Sequence, residues 1–254
     1  MAVNRTSTGE AGEGNPRRSR RTRLIMTGAM LFMTAVFLAL GTWQVQRLFW
    51  KLDLIARVDA RIHAATVPAP SDWDKFTAER DEYRHVTASG SFDYSKEVLV
   101  QAVTALGAGF WVVTPLHQPD GATILINRGF VPADRRATAS RAGSEIAGSV
   151  TINGLLRMSE PDGAFLRSND PEAGRWYSRD VAAIAAAQHL QNVAPYFIDA
   201  DATKNPGGLP VGGLTVVHFR NTHLVYAITW YLLALMSAGA AYAVGRRSGL
   251  QLHS

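Results

Sequence analysis

NTHLVYAITWYLLALMSAGAAYAVGRR, residues 221–247, decides how the rest of the chain is read. No formal charge falls between Arg220 and Arg246. At about 1.5 Å of rise per residue, twenty-odd apolar residues cover a hydrocarbon core of about 30 Å. A second uncharged stretch, Leu24 to Gln46, has the same property. The first could be a cleaved signal peptide, but it is too long. Trp43 and glutamines stand at its end, where a cleavage site needs small residues. Two buried core helices would seldom stay apolar on every face for so long. The sequence therefore predicts two transmembrane helices, at 24–46 and 221–245.

The basic residues gather beside these stretches. Arg5, Arg17, Arg18, Arg20, Arg21 and Arg23 face only Glu10 and Glu13 before Leu24, and Arg246 and Arg247 close the far end. This leaves 18 basic and 19 acidic residues between. Short Lys/Arg-rich flanks stay in the cytoplasm. The expected topology is a basic tail at 1–23, a periplasmic domain at 47–220 and a cytoplasmic tail at 246–254. The near-neutral middle offers no basic groove, so nucleic acid is not an expected partner. Glu10 and Glu13 argue against a mitochondrial transit peptide. The expected location is a bacterial inner membrane, crossed twice. The chain has no cysteine. That excludes disulfides, thiolate metal sites, iron–sulfur clusters and covalently attached c-type haem.

Between the two spans, Leu48, Leu52, Ile55, Val58 and Ile62 recur at helical spacing and extend the first helix through about 47–66. Pro68 and Pro70 in VPAPSDWD then stop it. From Tyr83 onward the rhythm is that of strands, over 83–220. YRHVTASGSFD, EVLVQAV, GFWVVTPLHQ, ATILINRGFV, VTINGLLR, PYFIDA and LTVVHF are short and rich in β-branched and aromatic residues. QPDGA at 118–122 reads as a turn between two of them. SRDVAAIAAAQHL reads as a helix capped by Ser178, with Asp180 favourable to its dipole. The fold class is thus an α+β membrane protein. Two terminal transmembrane helices flank a mostly antiparallel β domain, which carries one or two short helices and has room to close into a small barrel.

One titratable residue, His223, begins the second span. On a helical wheel Ala227, Trp230, Ala234, Ala238, Ala241 and Gly245 fall within about 60° of it. Small residues mark helix–helix contact in membranes. The first helix offers a comparable stripe at Gly28, Ala35, Ala39, Thr42 and Gln46, with Trp43 beside it. Position alone leaves two readings open: an interfacial side chain in an aromatic belt, or a histidine turned into protein.

LGTWQVQRLFWK (40–51), INRGFVP (126–132), RWYSRD (175–180), PYFIDAD (195–201), GGLP (207–210) and RNTHLVYAITWY (220–231) occur in an order that resembles the Surfeit locus protein one family. The resemblance covers the chain from about Leu24 to Arg247. It departs at Phe130, where the family usually has Trp, and at Thr222, where it usually has a second Asn. It implies an assembly factor for haem-copper cytochrome oxidase, which binds haem a and assists its insertion into subunit one. The histidine implicated in the family matches His223, as axial ligand of the haem iron. From that implied role, Trp230 and Trp43 would face the porphyrin, and Arg47 and Arg220 would pair with its propionates. Oxidase subunit one, haem a synthase and the lipid bilayer are the expected partners. The other reading is a membrane-anchored scaffold that stabilises oxidase subunits and never touches haem. An enzyme finds no support, since G-x-S-x-G, H-E-x-x-H and the P-loop are all missing from the sequence.

Overall fold

The computed structural model describes residues 16–164, 167–215, 217, 219 and 221–246. In chain order these form α1 (Pro16–Ile62), β1 (Val67–Pro68), α2 (Ala78–Asp81), β2 (His85–Phe92), β3 (Val98–Thr104), β4 (Gly107–His117), β5 (Thr123–Pro132), β6 (Ser149–Met158), α3 (Val181–Ala187), β7 (Val193–Ala200) and α4 (His223–Arg246). The chain divides into two compact units, Met1–Ile55 with Phe219–Ser254, and Ala56–His218.

The first unit is a helix pair. Both helices are long and apolar enough to cross a membrane. Ile25 and Phe32 on α1, and Leu235 and Met236 on α4, stand 64–72% exposed. Side chains of that kind, left in water over so many turns, forgo about 25 cal/mol for each Å² not buried. A hydrocarbon surround removes that cost.

The second unit is a sheet of seven strands in the order β1-β2-β6-β7-β5-β4-β3, closed by a further pairing of β2 with β4. The closure runs through Ser91 opposite His117 and Phe92 opposite Leu116. β2, β6, β7, β5 and β4 therefore form a barrel, with β1 and β3 as appended strands. Most ladders are antiparallel, as the strand pattern predicts. Two are parallel: β1 with β2, and β5 with β7. The second arises because β7 returns, after α3, between β5 and β6. The expected final strand at 214–219 does not form in its described residues 214, 215, 217 and 219, and its other positions lie outside the described residues.

Alternation sorts the apolar residues into two cores. Val86, Leu116, Ile124, Ile126, Leu156, Tyr196 and Ile198 point inward and fill the barrel. Val98, Val100, Val113, Leu125 and Phe197 point outward, and Trp176, Val181 and Ile184 cover them. β5 is thus buried on both faces, and nine of its ten residues are buried. The segment after α1 covers part of the barrel core: Val67, Ala69, Trp73 and Phe76 pack against it. Pro70 O there accepts hydrogen bonds from Tyr196 Oη (2.7 Å) and Trp73 Nε1 (3.1 Å).

One local expectation resolves differently. The cap of α3 is Asp180, whose Oδ1 accepts the Ala183 amide (3.1 Å). Ser178, the expected cap, accepts instead from the Gly163 amide (3.1 Å) and from Asn169 Nδ2 (3.0 Å). The carboxylate takes the cap because it sits at the residue directly before the first helical turn. Gly129 serves a bulge and a close backbone approach together. The β4–β5 register shifts beside it. Its φ is +133°, and a Cβ there would overlap the Val211 carbonyl.

Candidate functional site

The candidate site lies where α4 begins. The Asn221 side chain accepts the His223 amide (3.4 Å), one of the otherwise orphaned donors of a helix start. The half-buried His223 ring then turns toward α1, and its Nδ1 lies 2.7 Å from Gln44 Oε1. An amide oxygen only accepts, so Nδ1 carries the proton and donates. In this geometry the neutral form of the ring has a single tautomer, with the Nε2 lone pair available to a metal. Among the described residues no hydrogen bond reaches Nε2.

Further along the pair, Trp230 stacks on Phe37, with centroids 5.7 Å apart and planes 26° apart. The Tyr231 hydroxyl lies 3.2 Å from Thr42 Oγ1, and Ser237 Oγ donates to Met30 O (2.8 Å). Gly41 lies so close to the Tyr231 ring that a Cβ would meet it at 2.9–3.0 Å. Toward the other end, Lys51 Nζ sits 4.9 Å from the centre of the Phe219 ring. The face of α4 is the expected one: Ala227, Ala234 and Ala241 are buried. The face of α1 is not. Gly28 has open space around it, Ala35, Ala39 and Gln46 are exposed, and Trp43 is 52% exposed. Of that stripe Thr42 does touch α4; the other residues that touch α4 or the segment leading into it are Met30, Phe37, Gly41, Gln44 and Lys51, spaced by seven, four, three and seven. That is the spacing of a two-helix seam.

Of the residues singled out from the sequence, His223 and Trp230 stand on this seam, and Trp43 does not. The Arg47 guanidinium sits over Trp50, 4.6 Å from its centre. Arg220 lies outside the described residues. Sequence reading missed Gln44, one residue from Trp43 and on the face that matters.

The motifs of the β unit meet at one carboxylate, Asp199, which is 2% exposed. Its Oδ1 accepts from Asn127 Nδ2 (2.7 Å) and Arg179 Nη1 (2.9 Å). Its Oδ2 accepts from Thr215 Oγ1 (2.9 Å) and Arg157 Nη1 (3.1 Å). INRGFVP, RWYSRD and PYFIDAD each supply one of these groups. Arg179 also donates to Glu160. Asp81 plays a similar part near β2, holding Arg80 (2.7 Å) and Arg84 (2.7 Å).

Burial works against the charge on Asp81, but hydrogen bonds from Arg80, the Thr77 amide and Arg84 outweigh it and lower its pKa to about 2. Burial likewise opposes the Glu160 charge, and Arg179 outweighs it, so Glu160 is also held below its ordinary value. Both groups bind fewer protons folded than unfolded. Their contribution is complete above the unfolded carboxylate range, about 4, and is lost as pH falls through the folded values. The melting temperature of the β unit is expected to be flat between pH 7 and 5 and to drop below pH 4. Thermal scans followed by circular dichroism check this, and an unchanged midpoint at pH 3 would contradict it.

The fold and the seam define a class: a β-barrel unit flanked in sequence by two membrane-length helices, with one oriented histidine at the start of the second. A sequence model described as the SURF1 family matches residues 31–235. The chain is 39% identical over 218 residues to "Surfeit locus protein 1" of Rattus norvegicus, which covers 80% of this chain and 70% of that protein. It is 38% identical over 230 residues to the Homo sapiens protein of the same name, covering 84% and 74%. A "SURF1-like protein" of Monosiga brevicollis is 34% identical over 234 residues, covering 87% and 88%. The chain belongs to the SURF1 family.

Proposed function

We propose that this chain is an assembly factor for haem-copper cytochrome oxidase, which carries haem a as cargo on His223 and assists its insertion into subunit one. It has no catalytic turnover of its own. It sits in a bacterial inner membrane with both termini cytoplasmic and the barrel unit exported, and it meets subunit one and haem a synthase there. The observation that carries the reading is the 2.7 Å hydrogen bond from His223 to Gln44. A ligating histidine needs its second ring nitrogen engaged, so that the first stays unprotonated and aimed.

The residues fit a haem, with one adjustment. The macrocycle cannot lie inside the seam, because Ala227 is 2% exposed and Gly41 is buried against Tyr231. It would rest on the flank of the helix pair, reached by Nε2, with the exposed Trp43 beside Gln44 as an apolar surface. Trp230 acts indirectly, by locking α4 onto Phe37. Arg47 can leave Trp50 for a propionate, since a cation–π contact at an exposed site is worth only about 0.5–1 kcal/mol. The iron porphyrin supplies redox chemistry to the oxidase that receives it. This chain binds, orients and releases it, and a single axial ligand suits release.

The test is an absorption spectrum of the full chain purified from cells that make haem a, wild type beside His223→Ala. A Soret band in the wild type that is lost in the variant is expected. No band in either protein favours a scaffold that never touches haem, and matching bands would show that the ligand is another residue.

A further inference from the structure

The β3–β4 hairpin is uncharged: no formal charge falls between Glu97 and Asp120. Thr104 stands opposite Gly107, so Ala105 and Leu106 form a two-residue turn. Turns of that length favour Asn, Asp and Gly, which tolerate positive φ and suit water. Here the tip reads Val103, Thr104, Ala105, Leu106, Gly107, and the positive φ falls on Gly107 at +100°. Val103 is 85% exposed and Leu106 54%. Among the described residues of the β unit, these are the exposed large apolar side chains. The others in the chain lie on α1 and α4, the helices long and apolar enough to cross a membrane.

Two arginines stand behind this tip. Val103 faces Ala108 across the ladder, and Gln101 faces Phe110, so both pairs lie on one face of the hairpin. Arg167 Nη1 donates to Gln101 Oε1 (3.3 Å), and Arg136 Cζ lies 5.1 Å from the centre of the Phe110 ring. Both arginines are exposed, and neither forms an ion pair among the described residues. The carboxylates nearest them in sequence, Asp134 and Asp170, are paired with Arg135 and Arg175. At about 3.3 Å of rise per residue, the residues they touch lie about 7 Å behind Val103. Segments that lie in a membrane interface bury their apolar side about 5–10 Å deep, and basic side chains at that level meet lipid phosphate. The spacing and the sign of the charge therefore match a lipid surface. The chain also joins this unit to both membrane-length helices, so a bilayer stays at high effective concentration.

We propose that the tip of the β3–β4 hairpin dips into the bilayer interface, with Val103 and Leu106 among the acyl chains and Arg136 and Arg167 on lipid phosphates. The proposal rests on the membrane reading of α1 and α4, and not on haem. The chain has no cysteine, so Ala105→Cys places one NBD fluorophore at the tip and leaves Val103 and Leu106 in place. Ser149→Cys is the reference. Ser149 faces Ser91, which faces His117, at the far end of β4 and about 30 Å along the strand from the tip. Leu38→Cys, at an exposed position on α1, reports the membrane core. The full chain is placed in nanodiscs of phosphatidylcholine and phosphatidylglycerol whose acyl chains carry a nitroxide quencher. Quenching at Ala105 is expected about fivefold or more above that at Ser149, as for a segment lying in the interface. Val103→Ser with Leu106→Ser brings it down to the Ser149 level, and Arg136→Glu with Arg167→Glu lowers it about threefold. All four positions are exposed, so these variants keep the fold. Equal quenching at Ala105 and Ser149, with Leu38 quenched, overturns this proposal alone and leaves the tip to a protein partner. Quenching unchanged by either pair of substitutions overturns it too. An unquenched Leu38 overturns the membrane reading, and this proposal with it.

Discussion

Asp199→Ala will destabilise the β unit by about 3–5 kcal/mol, the range found when one partner of a buried ion pair is removed. The carboxylate takes four donors, two of them the guanidiniums of Arg157 and Arg179, whose side chains are only 17% and 13% exposed. Without it Arg179 keeps Glu160, but Arg157 keeps only Glu82 at 3.8 Å and Glu160 at 4.0 Å. Asn127 and Thr215 lose their acceptor as well. A domain holds about 5–15 kcal/mol in all, so this loss removes much of the margin. Thr215→Val is the control: it deletes one neutral donor and leaves the charges paired, for about 1 kcal/mol. Chemical unfolding of both variants, read on the β signal, separates the cases. If Asp199→Ala falls within 1 kcal/mol of Thr215→Val, the carboxylate is not what ties these strands together.

That network shows where sequence reading stops. The strands were legible because β-branched residues alternate between turns, and both cores follow from the alternation. Period alone does not say which strand lies beside which, or in which direction. The parallel β5–β7 ladder and the meeting of Asn127, Arg157, Arg179 and Thr215 on Asp199 depend on that long-range order. A carboxylate in mid-strand, in PYFIDAD, was the one signal available. The helix pair divides in the same way. On α4 the small residues share one side, and the side was read correctly. On α1 Gly28, Ala35 and Ala39 also share one side, but that side is exposed and Gly41, off it, meets Tyr231, so size gives the wrong phase. The contacts there are an amide, an aromatic ring and a backbone carbonyl, at Gln44, Phe37 and Met30.

On the proposed function, Gln44→Leu lowers haem affinity about 10–100-fold, the usual cost of removing the hydrogen-bond partner of a metal-ligating histidine. The substitution keeps the bulk of the side chain and deletes the acceptor for Nδ1–H. The ring is then free to rotate and to move its proton to Nε2, where it blocks ligation. Gln44→Glu keeps an acceptor and adds charge, so it should retain binding and shift the Soret maximum by making the imidazole a stronger donor. Leu235→Ala, at an exposed position on α4 with no part in the proposed haem site, should change affinity far less than Gln44→Leu. Titrating haem into the full chain in detergent and following the Soret band gives all three affinities. The ordering matters more than any single value, because loss of binding on removing His223 alone would also follow from a misfolded helix end. A graded series, with Gln44→Leu between wild type and His223→Ala and Gln44→Glu near wild type, follows only if the amide orients a ligand. A Gln44→Leu protein that binds like wild type would leave the 2.7 Å contact as helix packing and no more.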